Sequence, residues 1–203
     1  LSPLEQYEKL SLFEQALMQF VSIVYEPAHS TLIVNCLRKL ELKNPRGNRP
    51  TVTNLNHYLS KFEQLGLLTQ ERQCYPEIVE ILSKIAVEEG TFKLYAEVIQ
   101  SEAPVSYYYG KWTTRCWRAM REMRIGVYTQ QFDLIDDAQE FLDNQCRDLL
   151  STPPPTVQIM TQPFDPGWFR TLPTSFQLYL LSNVLQYCQK TLSDYPEILA
   201  YLS

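Results

Sequence analysis

Apolar residues recur at three- and four-residue steps along almost all of this 203-residue chain, with Pro or Gly breaking the pattern between segments. That spacing lines up side chains on one face of a helix, whereas a half-buried strand needs a period of two. The chain is therefore predicted to be mainly α. Ser2-Pro3 supplies a cap and an N1 proline, and Leu4, Tyr7, Leu10, Phe13, Leu17, Phe20, Val21 and Val24 form one stripe. They predict a single helix over 3–25, stopped by Pro27. A second helix starts at His29 or Ser30 and turns Leu32, Ile33, Cys36, Leu37 and Leu40 inward. A third, capped by Thr53, buries Leu55, Tyr58, Leu59, Phe62 and Leu65, and Gly66 fits the left-handed position that closes it.

Between the second and third helices lies Lys43-Asn44-Pro45-Arg46-Gly47-Asn48-Arg49-Pro50, basic and rich in turn formers. After Gly66, Leu67-Leu68-Thr69-Gln70 reads as a short strand. Tyr75-Pro76-Glu77 then opens a helix through Ile78, Ile81, Leu82 and Ile85, ended by Gly90. Thr91 caps the next, with Phe92, Tyr95, Ala96 and Ile99 inward, and Ala103-Pro104 breaks it. Trp112, Cys116, Ala119, Met120 and Met123 predict a helix ending near Gly126, and 132–150 predicts another. Ser151-Thr152-Pro153-Pro154-Pro155 is a break. A long helix opens at Thr174 or Ser175 with Phe176, Leu180, Leu181, Val184, Leu185 and Cys188 as its apolar stripe, and a short one follows Asp194. Tyr75-Pro76-Glu77-Ile78 recurs as Tyr195-Pro196-Glu197-Ile198; this reads as one helix-start chemistry used twice, since the separation is far beyond solenoid periods. The expected organisation is an N-terminal domain over 1–90 and a helical-hairpin bundle over 91–203.

The formal net charge is −5, yet residues 28–75 hold seven Lys/Arg against three acids, and 105–131 hold five against one. Local patches of this kind decide where a polyanion can sit. In the third helix, Asn54, Asn56, His57, Ser60, Lys61 and Gln64 lie opposite the apolar face. Asn and Gln can pair with adenine in a major groove, and a lysine can reach phosphate or guanine. Asn54, Asn56, His57 and Lys61 are the candidate base-side residues; Arg38, Lys43, Arg46 and Arg49 are the candidate phosphate contacts. A polar face is also what any surface helix shows, so contact with protein alone remains open. The aromatic and basic stretch 107–118 offers stacking and charge, or packing against neighbouring helices. Asp133, Asp136, Asp137 and Glu140 suit a helix macrodipole as well as they suit a metal.

Five cysteines stand far apart with no Cys-x-x-Cys, and only His29 and His57 could add imidazole. Neither a zinc site nor a disulfide framework is expected, and the cysteines read as free thiols. With no Gly-rich phosphate loop and no Ser/His/Asp set, no catalytic residue, metal ligand or cofactor is predicted, and the chain reads as a non-enzyme. No signal peptide or membrane-length apolar run is present, which predicts a cytoplasmic protein. A start at Leu1 and an end in helical pattern suggest a module of a longer polypeptide.

The stretch 28–75, with its exit Leu65-Gly66-Leu67-Leu68, resembles winged helix-turn-helix domains, which implies a small β wing and contact with duplex DNA. Arg118-Ala119-Met120-Arg121-Glu122-Met123-Arg124-Ile125 and the stretch Pro163 to Pro173 look like the helical region preceding the motor in some large bacterial SNF2-type helicase-like proteins. That resemblance implies a non-catalytic accessory module of a larger bacterial protein. The alternative is a protein-interaction scaffold presenting Tyr107–Tyr109 and Trp168.

Overall fold

The computed structural model describes residues 2–27, 29–146 and 153–202, and they are mainly helical. The chain forms two compact units, 1–121 and 122–203. In the first, α1 (Pro3–Glu8) and α2 (Leu12–Val24) replace the single N-terminal helix expected over 3–25. The reason is local: the Glu14 carboxylate accepts from both the N–H and the hydroxyl of Ser11, at 3.0 and 2.9 Å, which starts a new helix there. A reciprocal pair between Ser2 and Glu5 starts α1.

Every residue of α2 from Leu17 to Val24 is buried, Gln19 and Ser22 included. The helix packs on α5 (Pro76–Glu88) and α6 (Phe92–Glu102), and the Phe20 ring meets Tyr95 edge-on at 5.7 Å. Gln19 donates to the Tyr7 hydroxyl and to Glu89, each at 2.9 Å, so this buried amide is satisfied. α3 (Ser30–Lys39) packs on α6 and on α4 (Val52–Gln64). Thr51, not Thr53, caps α4 by accepting from the Asn54 N–H. Gly66 closes it at φ +69, as its sequence position predicts. Beyond it a single antiparallel bridge, Leu68 to Cys74, stands where a β wing was expected, and the described residues contain no strand. Arg72, at φ +61, turns the chain back, and Pro76 follows the bridge within two residues and has no N–H for a ladder. The Gly90 break is the turn between α5 and α6, inside the first unit.

α7 (Trp112–Thr129) crosses the boundary between the units, and Trp112, placed on its apolar stripe from sequence, is 38% exposed. In the second unit α7 runs through Gly126 instead of ending there, and α8 (Phe132–Gln145) follows at once. A Cβ on Gly126 would lie 2.6 Å from the Ile135 side chain and 3.1 Å from the Gln131 carbonyl oxygen. This glycine serves close packing and not helix termination. The expected continuation of α8 over Leu149 and Leu150, and the start of the break at Ser151 and Thr152, lie outside the described residues. α9 (Pro155–Thr161) is buried over its first six residues and packs on α11 (Thr174–Thr191). α10 (Pro166–Thr171) is capped by Asp165, which accepts from the Trp168 N–H at 3.0 Å. α12 (Pro196–Leu202) begins with the same Pro-Glu pair as α5. Phe164 and Phe169 pack around the Tyr201 ring, over which Arg170 stacks at 5.2 Å.

The thiols depart from expectation. Cys36, Cys74 and Cys188 are free, and burial pushes Cys36 up to about 12, while Cys116 and Cys146 are disulfide-bonded. Cys74 and Cys188 are only half-buried. No helix among the described residues is long and apolar enough to cross a membrane.

Replacing Gly126 by Ala forces Ile135 or the α8 backbone to move, and overpacking of this kind costs about 1–3 kcal/mol. Urea unfolding should show that loss in the Gly126→Ala chain, and an unchanged midpoint would contradict the close approach.

Candidate nucleic-acid interface

The loop 43–50 is built on Asn44. Its side-chain oxygen accepts from the N–H groups of Arg46 and Asn48, both at 3.0 Å, and its own N–H donates to the Asn48 carbonyl at 2.9 Å. Gly47 takes φ +76 at the tip. Asn44 and Pro50 are buried, so the loop is fastened at both ends while Lys43, Arg46 and Arg49 stand exposed. Arg38, on α3, is exposed as well. None of these four side chains makes a hydrogen bond or ion pair among the described residues.

Most other cations of this unit are engaged, with Lys9 and Lys111 exposed as exceptions. Lys39 pairs with Glu102 at 2.5 Å and donates to Ser101; Arg118 pairs with Glu26 at 3.0 Å; Arg115 donates to the Tyr107 carbonyl at 2.7 Å. Arg121 is wholly buried and donates to the Ala103 carbonyl at 2.6 Å. The basic character of 107–118 is thus largely turned inward, leaving Lys111, Tyr108 and Tyr109 exposed.

Four of the eight predicted residues, Asn54, Asn56, His57 and Lys61, lie on α4, and they part company. Leu55, Leu59 and Phe62 are buried, and Thr53, Asn54, His57 and Gln64 are exposed on the far side. Lys61 instead reaches Glu14 of α2 at 2.6 Å, with the carboxylate side chain 9% exposed and the lysine 42%. Asn56 is also engaged. Its Oδ1 accepts from Ser30 Oγ at 2.6 Å and from Arg72 Nη1 at 2.9 Å, and Arg72 pairs in turn with Glu63 at 3.2 Å. A guanidinium can only donate, so the Asn56 atom facing it is the oxygen. What remains to Asn56 is its amide donor, which cannot form the two-bond adenine contact by itself. Asn54 and Gln64 keep both functions.

Arg72, Ser30, Glu63 and Glu14 were not singled out by sequence reasoning. Their roles depend on the turn 69–73 folding back on α4 and on α2 lying alongside, and no local pattern announces either. Asn44 is different, since Asn-Pro-x-Gly already reads as a turn. The acids Asp133, Asp136, Asp137 and Glu140 of α8 are all exposed, and the described residues contain no cluster able to hold a metal. In the second unit Thr161, Phe164, Tyr195, Pro196, Glu197 and Ile198 line a cavity of about 210 Å³, which includes none of the predicted residues.

No protein-family model matches the chain, and neither curated proteins nor solved structures contain a match. The residues themselves carry the reading.

Burial acts to raise the Glu14 carboxyl, but the Lys61 ammonium and the Ser11 donors outweigh it and hold the group below its ordinary 4.5. A depressed carboxyl stabilises the fold above its unfolded value, and that contribution disappears as pH falls through the folded value. Lys61→Met should therefore cost roughly 1 kcal/mol near neutral pH, a modest figure because the lysine is partly solvated, and almost nothing in strong acid. Urea titrations at the two pH values check it: an equal loss at both would mean that packing, not charge, is what the substitution removes.

Proposed function

We propose that the chain is a non-catalytic module of a larger protein that contacts duplex DNA through α3, the loop 43–50 and α4, arranged as a winged helix with a minimal wing. The observation that carries this reading is the sorting of charge in the first unit. Lys39, Lys61, Arg72 and Arg118 have acid partners, whereas Arg38, Lys43, Arg46 and Arg49 are exposed without one. Cations left open on a fastened loop, at the start of a helix whose outer face offers Asn54, His57 and Gln64, suit a phosphate backbone beside a groove. Asn54 and Gln64 would face base edges, with His57 beside them; Asn56 would add a donor held in place by Arg72. Lys61 would act mainly as an internal tie to Glu14.

A second reading, contact with protein alone, is favoured by one observation: Tyr108 and Tyr109 are 85% and 83% exposed, although Trp168, expected to join them, is buried.

Fluorescence anisotropy with a labelled duplex separates the two. Under the DNA reading affinity falls steeply with salt, and Arg46→Glu/Arg49→Glu weakens binding to every sequence while lowering the salt slope by about 2. Asn54→Ala should instead change the preference among sequences. Absence of binding at low salt, or a double variant that binds as tightly as the parent, rejects the proposal.

A further inference from the structure

α11 has two apolar faces, and only one of them is used within the second unit. Phe176, Leu180 and Val184 are buried, with Phe176 stacked on Phe132 of α8 at 4.0 Å between ring centres. The other face is formed by Leu178, Leu181, Leu185 and Cys188, spaced by three, four and three residues, and Leu192 follows at the left-handed C-cap. At 3.6 residues per turn the second stripe is centred about 120° around the helix from the first. Leu178, Leu185 and Leu192 are 63%, 47% and 92% exposed, and Leu181 and Cys188 are half-buried. A surface helix ordinarily carries charge on such a face. α11 has a single charged residue, Lys190.

We propose that this stripe is a self-association surface, packing against the same stripe of a second copy of the chain. Alternating steps of three and four are the spacing at which side chains of one helix enter the gaps of another. A stripe with that repeat can meet itself across a two-fold axis. The positions flanking it are Gln177, Ser182, Gln189 and Thr191, all uncharged. Two copies, each of net charge −5, therefore bring no like charges together along the seam, while a strongly charged partner would find no counter-charge there. The helix is already anchored through its Phe176, Leu180 and Val184 face, so pairing carries no cost of helix nucleation. The leucine surface left in water is on the order of a few hundred Å², below the roughly 800 Å² per partner of a standard interface. The dimer is accordingly a dissociable one. This inference does not depend on the DNA reading.

Sedimentation of the 203-residue chain over a range of concentrations tests it. The chain should pass from monomer to dimer, and Leu178→Glu/Leu185→Glu should weaken association by about tenfold or more with an unchanged helical circular dichroism spectrum. Leu94→Glu, at a comparably exposed leucine of α6, should leave association as it is. If the double variant loses its helix signal, Leu185→Gln is read in its place, with a smaller shift in the same direction. A chain that stays monomeric throughout overturns the proposal, as does a dimer indifferent to substitutions in the stripe.

Discussion

The burial of α2 organises the first unit. From Leu17 to Val24 none of its residues faces water, so the helix can exist only if α5 and α6 cover it and its polar members find partners. Gln19 finds Tyr7 and Glu89, and Glu14 at the start of the helix holds Lys61 of α4. That last contact fixes which side of α4 is turned toward α2. The Arg72 network, joining Asn56, Ser30 and Glu63, engages the opposite flank. The face carrying Thr53, Asn54, His57 and Gln64 is what the two ties leave open.

Charge in this unit is sorted by position. A cation that lies beside a neighbouring helix has an acid or a carbonyl within reach, as Lys39, Arg115 and Arg118 show. The loop 43–50 is held by backbone bonds to Asn44, so its basic side chains are not needed to keep it in shape. Their exposure follows from that division of labour. A globally acidic chain can therefore still present one local surface open to an anion.

Helix periodicity made most of the helices readable, because a stripe at three- and four-residue steps has few other uses. It also gave the buried sets Leu55/Leu59/Phe62 and Phe92/Tyr95/Ala96/Ile99. Misreadings came where a residue had two possible roles. The apolar stripe over 3–25 predicts one helix, and the Glu14 carboxylate accepting from Ser11 divides it in two. Gly126 looked like a terminator, and its purpose is the approach of Ile135. Leu185 matched the core stripe of α11 by spacing alone and stands 47% exposed. Within the candidate site, the exposed loop cations were legible in their composition. The engagement of Asn56 and Lys61 was not, because their partners lie up to 47 residues away in sequence.

The DNA reading requires the open cations of 43–50 and the outer face of α4 to form one anion-contacting surface. Amide chemical-shift mapping of the isotopically labelled chain, titrated with a short duplex at low salt, tests it most directly. Perturbations should concentrate at Lys43, Arg46, Arg49, Asn54 and His57 and fade as salt is added. Shifts confined to Tyr107–Trp112, or no shifts at all, would contradict it.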